Sequence, residues 1–182
     1  TDLRASRLAV NNGTPVSSVV VESLSWASEA YFCVAYARYG AFEILKSEIE
    51  GLLRRGGKLR AIFDVERVVT DPSIIEEIST IPGDSECRVI YKRQEDPSSD
   101  DHDLSGVFHP KLYLFQNGHR TRILIGSSNL TRGGLEKNVE ANVAIDGQAT
   151  DELWQEAIAY FLAQWNAREA ISPGESDFIE RY

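Results

Sequence analysis

From Pro15 to Lys92 the chain switches repeatedly between two hydrophobic periods, and that alternation limits its fold more than any other feature. Tyr31–Tyr36 is an apolar, aromatic run of strand length, read as buried on both faces. From Gly40 the period becomes helical, with Phe42, Leu45, Ile49, Leu52 and Leu53 on one stripe. Arg54-Arg55-Gly56-Gly57 ends that helix with cations in its last turn and glycines just beyond. Lys58–Asp64 reads as a strand. Asp71-Pro72 then opens a helix with Ile74, Ile75 and Ile78 inward, and Pro82-Gly83 stops it. Arg88–Lys92 is a third strand. Ahead of these, residues 3–12 read as weakly helical, and a helix from Pro15, capped by Thr14, turns Val19, Val20, Leu24 and Trp26 inward. Such alternation predicts an α/β fold: a mixed, largely parallel central sheet flanked by helices on both faces. The 182 residues suffice for one such domain, taken as 1–172, with 173–182 after Ser172-Pro173-Gly174 as a tail or the start of a linker to a further domain.

Residues 93–106 interrupt the pattern with a polar, acidic segment read as a loop or lid. Its Asp100, Asp101, His102 and Asp103 are adjacent and cannot readily converge on one ion, so no metal is expected there. Beyond it, Val107–Gln116 and Arg120–Ile125 read as strands of a hairpin around Asn117-Gly118. Period two sets His109, Lys111 and Tyr113 on one strand face and Phe108, Leu112 and Leu114 on the other. Gly126-Ser127-Ser128-Asn129 follows, then a short helical turn near Leu130–Gly134. A last strand over Asn138–Ile145 sets Asn138, Glu140 and Asn142 opposite Val139, Ala141, Val143 and Ile145. A helix capped by Thr150 completes the order, with Leu153, Trp154, Ala157, Ile158, Phe161, Leu162 and Trp165 as its stripe.

Two strands thus each offer one apolar face and one face of imidazole, ammonium, carboxamide and carboxylate. That set suits a phosphodiester. Neutral imidazole is a competent nucleophile at pH 7; His109 supplies it. Lys111 contributes a point charge for phosphate oxygens, Ser127 and Asn129 neutral donors, and Gly126 room for backbone amides. Glu140 is placed to orient a histidine ring, with Tyr113, Asn138 and Arg132 as supporting or substrate-contacting residues. The catalytic set is therefore His109, Lys111, Ser127, Asn129 and Glu140, with Gly126, Tyr113, Asn138 and Arg132 on the substrate side and no metal or other cofactor.

Phe108-His109-Pro110-Lys111-Leu112-Tyr113 followed by Ile125-Gly126-Ser127-Ser128-Asn129-Leu130-Thr131 and then Asn138-Val139-Glu140 resembles the phospholipase D superfamily. In particular it is similar to the metal-independent nucleases found as restriction endonucleases and as helicase-associated domains. One departure stands out: the superfamily pattern has Asp five residues after the Lys, where this chain has Gln116. The resemblance implies the phospholipase-D-like α/β/α sandwich and a covalent phosphohistidine. It also implies a second histidine to protonate the leaving oxygen. With only one His-x-Lys motif in the chain, that histidine is expected from a second copy across a two-fold axis, in a homodimer. Neither His102 nor His119 lies in a second motif.

The expected activity is a DNA endonuclease, or action on another nucleic acid, with a linked helicase or DNA-recognition domain as a further expectation. The alternatives are a lipid phosphodiesterase or phosphatidyltransferase of the same superfamily, and a non-catalytic nucleic-acid-binding module. A net charge of −9 opposes phosphate binding, but residues 104–140 carry five basic side chains against two acids. No apolar run approaches the roughly 20 residues that span a bilayer, and no signal-peptide core opens the chain. A cytoplasmic protein without membrane partners is the expectation. Cys33 and Cys87 sit in apolar runs and read as buried free thiols.

Overall fold

A computed structural model of the chain describes residues 5–91, 106–174 and 182. In order, its elements are β1 (Ser6–Ala9), α1 (Val16–Trp26), β2 (Glu29–Val34), α2 (Tyr39–Arg54), β3 (Lys58–Asp64), α3 (Pro72–Thr80) and β4 (Asp84–Ile90). Then follow β5 (Lys111–Asn117), β6 (Arg120–Gly126), a π-helical turn (Gly133–Lys137), β7 (Asn142–Gln148), α4 (Glu152–Trp165) and β8 (Ala170–Ile171). The eight strands form one mixed sheet in the order β1-β7-β6-β5-β2-β3-β4-β8. Helices lie on both of its faces. Valines and leucines of α1, the α2 stripe and the isoleucines of α3 pack with Phe32, Val34, Tyr113, Phe115 and Leu124 on one side. Trp154, Phe161 and Trp165 of α4 pack with Tyr31, Cys33, Ile62, Leu112, Leu114 and Ile123 on the other.

The sheet is mixed as expected but not largely parallel. Parallel pairing is confined to β2-β3 and β3-β4, while β1-β7, β7-β6, β6-β5, β5-β2 and β4-β8 are antiparallel. The βαβ pattern of the first half accounts for the parallel part; the hairpin-linked second half lays its strands back beside β2 in the opposite sense.

Several local expectations are corrected. Residues 6–9 form a strand rather than helix, because they find a ladder on distant β7 (Ser6↔Ile145 to Ala9↔Asn142). Thr14 does not cap α1; the Asn11 Oδ1 accepts from the Val16 amide at 3.2 Å and takes that role. β4 starts at Asp84, earlier than read. The β5-β6 turn centres on Gly118-His119, since Asn117 pairs with Arg120, and Gly118 carries a φ of +56°. A glycine at the first central position is what a type II′ hairpin turn needs. On α4, Leu153 and Leu162 are exposed rather than core, and Asp151 stands at the N-cap position instead of Thr150. Cys33 and Cys87 are buried free thiols, and burial pushes the Cys33 thiol up to about 12. The acidic segment, with its Asp100–Asp103 run, lies outside the described residues but for Gly106, as does most of 173–182.

Candidate active site

Because β2 and β5 are antiparallel, the carboxyl end of one meets the start of the other, with Val34 opposite Lys111. β6 ends and β7 begins at the same end of the sheet, with Gly126 opposite Asn142. The register alone therefore gathers His109-Pro110-Lys111, Gly126–Asn129 and Asn138–Asn142 at the carboxyl ends of the parallel strands, where open α/β sheets commonly place their sites. The strand itself starts at Lys111, so Pro110 stands just outside the ladder; its carbonyl accepts from the Ala35 amide at 2.8 Å.

His109 is exposed and lies against Lys111, whose Nζ is 2.8 Å from Nδ1 and 3.2 Å from Nε2. That ammonium also donates to the His109 carbonyl at 3.0 Å. A neutral imidazole has one lone pair, so the ammonium occupies one ring nitrogen at a time. Desolvation, the Lys111 charge and the Arg67 charge hold the imidazole below its usual range, with Asp64 opposing. The neutral, nucleophilic form of the ring is thereby favoured. Burial likewise lowers Lys111, against an upward pull from Glu140.

The Gly-Ser-Ser-Asn loop is fixed from beneath. Ser128 is buried: its amide donates to Asn142 Oδ1 at 3.1 Å and its hydroxyl to the Gly134 carbonyl at 2.8 Å. Asn142 Nδ2 donates to Ser128 Oγ at 2.8 Å and to the Ala9 carbonyl at 3.3 Å. The glycine at 126 answers a packing need, since a Cβ there would stand 2.3 Å from the Ala141 carbonyl oxygen. Ser127 is exposed, donates its hydroxyl to Glu140 Oε2, and accepts from the Ala141 amide at 3.0 Å. Asn129 turns its Oδ1 to the Tyr36 amide at 3.2 Å.

Not every expected residue converges on the imidazole. Glu140 takes hydrogen bonds from Ser127 and, at 3.4 Å, from Asn138 Nδ2. Within one chain His109 is not among its partners in the described residues. Tyr113 is fully buried and donates to the Ser128 carbonyl at 2.9 Å, so it supports the loop and cannot touch a ligand. Arg132 leans over α2 toward Glu43, 3.6 Å away. Asn138, Val139 and Glu140 are not strand; Asn11 Nδ2 holds the Asn138 carbonyl at 2.9 Å and the Gly134 carbonyl at 3.2 Å, and Val139 faces solvent instead of the core. Arg122 is buried between Glu22 and Asp146 and Arg120 stacks on Trp26, 3.8 Å from its ring centroid, so neither tracks a phosphate chain. His119 sits in the hairpin turn at the opposite end of β5 from His109.

Sequence reasoning missed Tyr36, whose ring meets His109 edge-on with centroids 5.8 Å apart. Its backbone is clamped to the loop: the Leu130 amide donates to its carbonyl at 3.0 Å. Asn11, Asp64 and Arg67 were missed as well, because only the register brings these distant segments to one end of the sheet. Gln116, at the position of the superfamily's Asp, spans the hairpin turn by donating to the Gly118 carbonyl at 2.9 Å. Five residues of strand place it roughly 17 Å from Lys111, so this departure leaves the site untouched.

Among the described residues no helix is long and apolar enough to cross a membrane, and no three His, Cys, Asp or Glu side chains are grouped to hold a metal. The family model described as "Cardiolipin synthase, PLD-like domain" matches residues 22–165. No curated protein sequence matches the chain. Among solved structures, NucT from Helicobacter pylori superposes with a TM-score of 0.71 at 15% identity, covering 93% of this chain and 99% of that one. The phospholipase D family member Nuc from Salmonella typhimurium gives 0.67 at 15% identity, with 93% and 98% covered. Phosphatidylserine synthase from Haemophilus influenzae gives 0.67 at 13% identity, covering all of this chain but 43% of that one. Identities this low establish shared fold alone. The family model spans most of the chain, including the His109-Lys111 strand and the loop beside it, and the chain accordingly belongs to the phospholipase-D-like superfamily of phosphodiesterases.

Proposed function

We propose that this chain is a metal-independent DNA endonuclease, of the restriction or helicase-associated kind, acting through a covalent phosphohistidine in a site completed by a second copy. The observation that carries the reading is the exposed, neutral imidazole of His109 held against the Lys111 ammonium. A phosphodiester entering here draws the ammonium onto a non-bridging oxygen and releases the ring lone pair. The ring nitrogen attacks phosphorus in line, an N–P bond forms, and the P–O bond to the leaving group breaks. That oxygen takes a proton from the second copy's His109, the two rings of the composite site holding one proton between them so that one is neutral while the other is imidazolium. Water, deprotonated by the now neutral second imidazole, then attacks phosphorus and the N–P bond breaks, restoring the first ring. The positive charge that such a transition state needs comes from the lysines rather than a metal. Ser127, Asn129 and Glu140 order the rim of the phosphate site.

One observation supports a shared site: His109 pairs with Lys111 and has no carboxylate hydrogen-bond partner of its own among the described residues. The test is cleavage of plasmid DNA at low salt in EDTA, with His109→Ala beside the parent and mass measured by sedimentation. Cleavage by the parent dimer alone is expected. A variant as active as the parent, or activity requiring added magnesium, refutes the assignment. Hydrolysis of phospholipid but not of DNA would favour the lipid alternative.

A further inference from the structure

The loop after β3 stands at the same end of the sheet as His109. β3 runs parallel to β2 with Val34 opposite Phe63, and β2 lies between β3 and β5. Strands are spaced about 4.8 Å apart, so the end of β3 is roughly 10 Å from the start of β5. Asp64 organises this loop: its Oδ1 accepts from the Glu66 amide at 2.9 Å and its carbonyl from Thr70 Oγ1 at 2.7 Å. The Val68 amide closes a turn on the Val65 carbonyl at 3.1 Å. Val68 itself adopts a φ of +53° although 72% exposed. A β-branched residue in the left-handed region is a backbone outlier, and such outliers cluster at functional sites.

This turn presents Arg67. Its side chain is exposed, and its guanidinium has no hydrogen bond or ion pair among the described residues. The other arginines described above are committed: Arg122 to Glu22 and Asp146, Arg132 to Glu43, Arg120 to Trp26. Arg67 is near enough for its charge to act on His109. An unpaired cation at the same end of the sheet as the nucleophile, but two strands away, is spaced for a flanking phosphate within a few nucleotides rather than the one under attack. At roughly 3.4 Å of axial rise per nucleotide, 10 Å is a few nucleotides, and an arginine side chain shortens the gap.

We propose that Arg67 forms a subsite for a phosphate flanking the scissile one, making the chain selective for polynucleotides over isolated phosphodiesters. This rests on the nucleic-acid reading above. It is tested by comparing the parent, Arg67→Ala and Arg67→Lys on two substrates, a short single-stranded DNA oligonucleotide and bis(p-nitrophenyl) phosphate. Arg67→Ala is expected to lower kcat/KM on the oligonucleotide about tenfold and leave the small diester unchanged, with Arg67→Lys in between. Oligonucleotide binding, followed by anisotropy, should lose about 0.7 from the slope of log affinity against log salt. Equal losses on both substrates would place Arg67 on the scissile phosphate, and no loss on either would leave it without a ligand; both overturn the subsite. A parent that hydrolyses the small diester but neither binds nor cleaves the oligonucleotide overturns the nucleic-acid reading, and the subsite with it.

Discussion

Removing the carboxamide of Asn142 tests how the site loop is held. In Asn142→Ala three hydrogen bonds disappear: those with the Ser128 amide at 3.1 Å, Ser128 Oγ at 2.8 Å and the Ala9 carbonyl at 3.3 Å. The Ser128 hydroxyl keeps its bond to Gly134, but the buried Ser128 amide loses its acceptor. Each neutral hydrogen bond contributes about 1 kcal/mol net, and an orphaned buried donor costs about 1–3 kcal/mol. With the longest bond discounted, the loss is about 3 kcal/mol. For a domain of this size that lowers Tm by roughly 6–12 °C. Calorimetry gives the shift, and amide exchange at Ser128 gives its location. Asn142→Asp offers a sharper contrast, because the carboxylate still accepts from the Ser128 amide but faces the Ala9 carbonyl with a negative charge. It should be destabilised at neutral pH and recover part of the loss as the carboxyl protonates. A fall in Tm of less than about 2 °C for Asn142→Ala, with Ser128 exchange unchanged, would refute the view that this residue anchors the loop.

Replacing Lys111 with Gln removes a positive charge 2.8 Å from the His109 ring, so the imidazole should hold its proton to higher pH. The NMR titration midpoint of His109 then moves up, toward the ordinary histidine range, and the acid limb of any residual activity moves with it. An unchanged or lower midpoint would show that desolvation and the Arg67 charge, and not the Lys111 charge, depress it. Val68→Gly relieves a left-handed backbone and should stabilise the fold by up to about 1 kcal/mol, measured by urea denaturation. The same change should weaken oligonucleotide binding by loosening the turn that presents Arg67; a loss of stability would contradict the strain argument.

Local signals located most of the first half. Lys58–Asp64 is legible to the residue because an apolar strand is bounded there by glycines and a loop, and Asp71-Pro72 marks the start of α3. His109, Lys111, Ser127, Asn129 and Glu140 stand out in the sequence by type and order, and the strand register brings their segments to one end of the sheet as a candidate site. Their division of labour is not legible in that way. Ser127 and Ser128 are indistinguishable in sequence, yet one faces solvent and the other is the buried link between Asn142 and the π-helical turn. Tyr113 shares the Lys111 face of the strand, but that face is covered by α1 and α2 as it runs inward from the sheet end. Tyr36, Asn11 and Arg67 carry no local mark: strand register brings Tyr36 and Arg67 to the end of the sheet that holds His109, and Asn11 to the Asn138 and Gly134 carbonyls. A helical reading of residues 6–9 fails for the same reason: their ladder lies more than a hundred residues away.

The sheet is closed at each margin by a short strand, four residues in β1 and two in β8. Such margins present few unpaired backbone groups, which discourages strand-by-strand addition of another molecule. Two copies of this chain are therefore poorly suited to join by extending one sheet into the next. In the dimer proposed above, the two histidines would meet over the loop end, where Val107 and Val139 are exposed beside the motif. Association would then be sensed first by the loops that hold the chemistry, so dilution would switch off the reaction before it loosened the fold.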